Sequence, residues 1–214
     1  YEAETYDKVA ATALSVSAPV MLEINQCKVI ARSDGGTTAI SAAGNKETAA
    51  KADIQGCEVV ATGRKNVYGM KMYSTAKVND CSIQVKATAN GAYGVSITNF
   101  QDTVNLVDTE VSVKNVSVDV KGAYNVYGID IKSPGILTEG TITVLSDSVN
   151  AYGIYANFPL EMDHCMVTTH AAQTNAIGVD VLAYSANCYD KQRLTTLSDC
   201  SVEAIAEQKS YGRY

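Results

Sequence analysis

The chain repeats one short phrase, and that repeat limits what it can fold into. Asn150-Ala151-Tyr152-Gly153-Ile154-Tyr155-Ala156 returns as Asn66-Val67-Tyr68-Gly69-Met70-Lys71-Met72, Gly91-Ala92-Tyr93-Gly94-Val95-Ser96-Ile97, Asn125-Val126-Tyr127-Gly128-Ile129-Asp130-Ile131 and Asn175-Ala176-Ile177-Gly178-Val179-Asp180-Val181. Weaker copies stand at 36–42 and at Tyr211-Gly212. A second phrase runs out of step with the first. Its leads align without gaps at Cys27, Cys57, Cys81, Thr109, Gly140, Cys165 and Cys200, separated by 30, 24, 28, 31, 25 and 35 residues. Every copy carries a β-branched residue two places after the lead. Three places before it stands Ile24, Ile54, Val78, Leu106, Leu137, Met162 or Leu197. Repeats of this length in fixed order indicate a stacked array.

The period inside each copy says what is stacked. Cys57, Val59 and Ala61 alternate with Glu58, Val60 and Thr62, and Met70 and Met72 alternate with Gly69 and Lys71. Alternation at period two belongs to a strand. No stretch sustains the apolar stripe of an ordinary helix. Each repeat then holds three short strands: one after the Cys slot, one at the Tyr-Gly phrase, and one ending three residues before the next Cys slot. One such coil cannot bury its own apolar face, whereas stacked coils share a core. The expected fold is all-β, a right-handed single-stranded parallel β-helix (a β-solenoid) of about seven coils, as one domain over residues 1–214, with coils about 4.8 Å apart.

Composition agrees with a narrow core of small β-formers. The chain has 46% hydrophobic and 19% charged residues, no Trp, 2 Phe and 13 Tyr, a balance that excludes wholesale disorder. The net charge of −6 argues against nucleic acid as partner. No apolar run reaches the roughly 18 residues of a membrane span. Of the 6 cysteines, Cys27, Cys57, Cys81, Cys165 and Cys200 share one register position. Stacked Cα atoms fall inside disulfide range, but parallel Cβ vectors hold the sulfurs apart, so a column of free thiols is expected. Cys188 lies off that register and is expected to be exposed.

Corners and insertions follow from residue type. Asn66, Asn125, Asn150 and Asn175, with Gly36 and Gly91, precede the Tyr slot by two, where a left-handed corner is expected. A second corner is expected just before the Cys slot, at Gln26, Gly56, Asp80, Asp108, Glu139, His164 and Asp199. Parity places Tyr68, Tyr93, Tyr127 and Tyr152 inward at the core edge. It places the following Gly outward, as a kink or as a point where something approaches the backbone. Extra length falls at 43–51, 114–121 and 182–193. The second of these adjoins a long alternation over 111–120 that reads as an extended strand or hairpin. The third carries Tyr184, Cys188, Tyr189, Lys191 and Arg193. Both ends of the sequence lie inside a coil, from a degenerate first copy over 1–17 to Tyr211-Gly212. A piece of a longer solenoid would look like this, and so would a unit whose copies stack end to end.

Few constellations carry chemistry. Asp130 and Asp180 share an outward position with Tyr155 between them. Two coils separate them by about 9.6 Å, the edge of the range for an inverting glycosidase pair; the plainer reading is two solvated carboxylates. His164 and His170, with Cys165 and Cys188, supply zinc-type ligands, but His164 on a corner and Cys165 in the inward column point apart, so no metal and no cofactor is expected. The outward row on the Tyr-Gly strand is the candidate ligand face: Lys71, Tyr73, Ser96, Thr98, Asp130, Lys132, Tyr155, Asn157 and Asp180, with Phe100 and Phe158 beyond. Aromatic and polar groups in a shallow row suit a glycan or a protein.

The Asn-Ala-Tyr-Gly-Ile and Cys-x-Val-x-Ala phrases resemble the repeats of bacterial right-handed parallel β-helix surface proteins, the adhesin-like and autotransporter-passenger-like group. The resemblance implies an extracellular, cell-surface setting and a non-enzymatic role in attachment, binding glycan or surface protein. It carries over no catalytic residue. Two alternatives stand beside it: a structural fibre subunit stacking end to end, and a polysaccharide lyase or hydrolase.

Overall fold

A computed structural model of the chain describes residues 2–5, 10–17, 21–43, 50–98, 111–182 and 195–207. Those residues wind as a right-handed parallel β-helix of seven coils with three strands per coil. All strand pairings are parallel. The Cys-phrase strands form an 8-stranded sheet running from Glu2–Thr5 through Lys28–Ser33, Glu58–Gly63, Ser82–Ala87, Ser117–Gly122, Thr141–Ser146 and Met166–Ala171 to Ser201–Ala206. The Tyr-Gly strands and the strands before the Cys slot make two further ladders. These are joined into one 13-stranded sheet because Val67–Asn79 runs unbroken through both.

The inward side chains stand in files. Val29, Val59, Ile83, Val118, Ile142, Val167 and Val202 pair successively down the Cys sheet. Ile24, Ile54, Val78, Val113, Leu137, Met162 and Leu197 do so down the third ladder. Ile83 and Ile142 are fully buried; each such side chain stabilises the fold by about 1.5–3 kcal/mol relative to exposure.

One copy of the repeat sits elsewhere than its alignment suggests. The strand Val111–Lys114 belongs to the third ladder, with Val113 opposite Val78 and Leu137. The Cys slot of that coil is Val116, and Val118 continues the core file beside Ile83. Val113 therefore replaces Leu106, and Asn115 replaces Asp108 at the corner. The alternation over 111–120 is two strands across that corner, and 114–121 is no insertion. Residues 99–110, among them Phe100, Leu106, Asp108 and Thr109, lie outside the described residues, as do Tyr184, Cys188, Tyr189, Lys191, Arg193, Tyr211 and Gly212.

The corner before the Cys slot is left-handed in every coil. Gln26, Gly56, Asp80, Asn115, Glu139, His164 and Asp199 all have φ between 48 and 63°. The five described thiols are free, and each donates to the carbonyl two residues earlier, as Cys81 does to Asn79 at 3.0 Å. Cys57, Cys81 and Cys165 also reach a carbonyl of the preceding coil, as Cys165 reaches Leu137 at 3.4 Å. A small, weak donor suits a slot where the tight bend leaves carbonyls facing inward. Burial pushes the Cys81 thiol up to about 11, so it stays protonated and unreactive.

The Asn corner is different in kind. Asn66, Asn125, Asn150 and Asn175 are absent from the left-handed region. The side chains of Asn125, Asn150 and Asn175 form a ladder instead: Asn150 Nδ2 donates to Asn125 Oδ1 at 3.1 Å, and Asn175 Nδ2 to Asn150 Oδ1 at 3.2 Å. Their carbonyls accept from the neighbouring coil, as in Val126 N to Asn150 O at 2.9 Å. A short amide that reaches its copy one strand spacing away is selected here, rather than tolerance of positive φ.

Candidate functional site

The Tyr-Gly strand carries the site because its face alternation breaks at glycine. In Ala92–Thr98, Tyr93 is half-exposed and 94–97 are all buried, yet Tyr93 and Ser96 line the same outer groove. The pairing registers Tyr68 with Tyr93 and Met70 with Val95 but passes over Gly69 and Gly94. The same omission recurs in the pairs Tyr127–Tyr152 and Ile129–Ile154.

Space explains the residue. A Cβ on Gly128 would lie 2.5 Å from the Gly153 carbonyl and 2.5 Å from Ile142 Cγ2; one on Gly94 would lie 2.4 Å from both the Gly128 carbonyl and Val118 Cγ1. The Cys-sheet core presses against bare backbone here. The two expectations for this glycine, kink and close approach, describe one feature, but the glycine faces inward. Its tyrosine is correspondingly turned outward, away from the core edge where simple alternation places it.

The turn brings two sets of side chains onto one outer face. Tyr68, Tyr93, Tyr127 and Tyr152 stack in order, with ring centroids 4.5, 5.0 and 4.8 Å apart and planes within 11° of parallel. Three residues beyond each tyrosine runs the file Lys71, Ser96, Asp130 and Tyr155, which Asp180, three beyond Ile177, continues. Between stack and file lies a groove of about 350 Å³. Its lining includes Lys71, Tyr73, Ser96, Thr98, Asp130, Lys132, Tyr155 and Asn157 from the expected row, and Tyr68, Tyr93 and Tyr127, which the parity argument assigned to the core edge. Asp180 continues the file but does not line the groove. Tyr155 stands between it and Asp130 in the file. Phe158 is half-buried outside the groove.

Asp130 is the most constrained group. The residue is 6% exposed. Its Oδ2 accepts from Ser96 Oγ at 3.3 Å and lies 3.8 Å from Lys132 Nζ, while Oδ1 has no hydrogen-bond partner. Burial pushes its pKa above the ordinary carboxylate value, opposed by Lys132 and Ser96. Asn157 Oδ1 is likewise buried without a partner. Buried acceptors without donors are uncommon and costly. Burial also pushes the Tyr68, Tyr93 and Tyr127 phenols up, so they remain O–H donors at neutral pH.

Lys71 and Tyr155 complete the walls. The Lys71 ammonium lies 4.7 Å from the centroid of Tyr68 and 5.5 Å from that of Tyr73. Tyr155 sits edge to face against Tyr127 and Tyr152, at 5.8 and 5.7 Å. Because stacking covers most of the ladder's ring faces, the groove can offer phenol edges and polar groups more than broad aromatic platforms.

Away from the groove, His164 Nδ1 meets Asp163 Oδ1 at 2.8 Å, and Nε2 lies 3.9 Å from Asp199 Oδ2, all three side chains being solvent-facing. Cys165 points into the core, apart from His164. Among the described residues no helix is long and apolar enough to cross a membrane. No protein-family model matches the chain, and no curated protein or solved structure matches it.

Proposed function

We propose that the chain is a non-catalytic, adhesin-like solenoid displayed outside the cell, and that its tyrosine-walled groove binds a glycan. The observation that carries this is the Asp130 carboxylate. It lies at the groove floor with unfilled acceptor capacity, and a polyhydroxylated ligand supplies the donors it lacks. Asn157 makes the same demand one coil along. A groove of about 350 Å³ is of small-ligand size. A binding role fits better than hydrolysis, because a glycosidase mechanism needs two carboxylates across the scissile bond and the groove lining contains Asp130 alone. The extracellular setting rests on the resemblance of the repeat phrases to surface solenoids.

A glycan panel tests the reading, with wild type and Asp130→Asn side by side. Binding to some members, weakened at least tenfold by the substitution, is expected. Silence across a broad panel, or binding indifferent to Asp130, overturns it.

A second reading, a fibre subunit stacking end to end, is favoured by one observation. Val202 and Leu197 occupy core files, yet they are 43% and 49% exposed on the last described coil. A second copy placed on that end would continue both files. Sedimentation velocity distinguishes the two: a fibre former grows with concentration, and Val202→Lys stops the growth.

A further inference from the structure

The groove carries positive charge within a negatively charged protein. Lys71, Lys132 and Asp130 are its charged lining residues at neutral pH, whereas the chain as a whole carries −6. Lys132 is paired with Asp130 at 3.8 Å. Lys71 is not. It precedes Asp130 by two coils in the same file, about 9.6 Å away. Among the described residues its ammonium meets ring faces and no carboxylate. A ring face attracts a cation but leaves its charge uncompensated.

We propose that the groove takes an acidic saccharide, with the ligand's carboxylate against the Lys71 ammonium and a hydroxyl donating to the Asp130 carboxylate. The proposal rests on the glycan reading and narrows it. A neutral sugar satisfies Asp130 but covers Lys71 without an opposite charge, which costs binding energy. A simple anion such as sulfate pairs with Lys71 but brings no donor for Asp130 or Asn157. A hydroxylated carboxylate does both, and the two demands lie along the coil axis in the direction a chain of sugar rings would run. Asp130 Oδ1 is sealed from solvent, so the ligand's hydroxyl donates to Oδ2, which can accept a second hydrogen bond beside the one from Ser96. Lys132, whose side chain is 42% exposed, is free to swing aside for it. The Tyr68 and Tyr93 phenols, held protonated by burial, border the same path as donors.

The experiment compares short oligosaccharides of glucuronic acid with their methyl esters, which keep the hydroxyl pattern and lose the charge, by titration calorimetry on the whole chain. Oligoglutamate and sulfate serve as competitors. The acid is expected to bind about tenfold or more tighter than the ester, with affinity falling as salt rises. Lys71→Gln should abolish the acid's advantage, so that acid and ester bind the variant about equally, and the ester should bind it no more weakly than it binds wild type. Asp130→Asn should weaken both. A circular dichroism melt of each variant confirms that it is folded, and Lys71→Met provides a second test of charge if the glutamine variant is not. Equal binding of acid and ester overturns this inference and leaves the glycan reading standing. Oligoglutamate binding as tightly as the acid overturns it in favour of an acidic peptide, and sulfate displacing the ligand stoichiometrically overturns it in favour of an anion alone. No saccharide binding at all removes both readings.

Discussion

Asp130 is a residue whose cost and use separate cleanly. Its carboxylate is buried, half-satisfied and 3.8 Å from the Lys132 ammonium, and burial raises its pKa in the folded state. In that case the folded protein binds more protons than the unfolded chain as pH rises from the unfolded value of about 3.9 through the raised folded value. Stability contributed by Asp130 is therefore fully present below the unfolded value and is lost across that window. Asp130→Asn removes the loss. The variant is expected to be about 1 kcal/mol more stable than wild type at pH 7, with the advantage shrinking as pH falls below the window, read from denaturant unfolding at several pH values. Weaker glycan binding together with higher stability is the signature of a group kept for a ligand. Lower stability at pH 7 would mark Asp130 as a structural partner of Ser96 and Lys132. The left-handed corners offer a second test at this scale. Glu139 has φ of 56°, a conformation that costs a side-chain-bearing residue about 1–2 kcal/mol. Its ion pair with Lys114 spans 4.0 Å between half-exposed groups and contributes little. Glu139→Gly is expected to raise the unfolding free energy by about 0.5–1 kcal/mol, whereas Gly56→Ala, at φ of 63°, lowers it by a similar amount.

At the scale of the element, the Tyr-Gly strand shows what sequence can and cannot convey. The alternation of Met70 with Met72, or of Val59 with Ala61, states strand and inward face without help, and the files built from it are those of the fold. The tyrosines defeated the same arithmetic because the alternation is not continuous across Gly69, Gly94, Gly128 and Gly153. Counting by twos through that glycine turns Tyr127 inward; counting three from Tyr127 to Asp130 puts both on one face. The signal was present in the invariance of glycine within the repeat. Its meaning lay in the neighbouring coil's carbonyl and the opposing Ile142, and no single strand contains those. The Thr109 copy failed for a related reason. Val111-x-Val113 and Val118-x-Val120 alternate alike, and only Asn115, at a left-handed corner, shows which pair follows the bend. The close approach yields a prediction. Gly128→Ala places a methyl 2.5 Å from a carbonyl oxygen and 2.5 Å from Ile142 Cγ2, and overpacking of this kind costs about 1–3 kcal/mol or more. Thermal unfolding of Gly128→Ala and Ile142→Ala, alone and together, measures it. A double-variant cost smaller than the sum is expected, since alanine at 142 lacks the Cγ2 methyl that meets the added one; simple additivity would place the clash elsewhere.

The whole molecule is a line of nearest neighbours, so the same substitution should cost different amounts at different coils. Ile142 and Val202 belong to one file of the Cys sheet. Ile142 has a coil on each side and no exposure, whereas Val202 is 43% exposed. Ile142→Ala removes buried methyl groups from a site held by both neighbours and is expected to cost about 2–5 kcal/mol. Val202→Ala removes groups already in part solvated and should cost less than about 1 kcal/mol. In a one-dimensional array the interface terms add along the stack, and the last described coil has one described neighbour where an inner coil has two. Amide exchange should follow the same order, slowest in Ser117–Gly122 and Thr141–Ser146 and fastest in Ser201–Ala206. Protein concentration decides whether this end is free in solution. If it is, both substitution costs are independent of concentration. If copies stack through it, Val202 gains its second neighbour, and the penalty for Val202→Ala climbs toward that of Ile142→Ala as concentration rises, while the penalty at Ile142 does not move. A concentration series of denaturant melts on the two variants thus weighs the fibre against the monomeric binder without any ligand in hand.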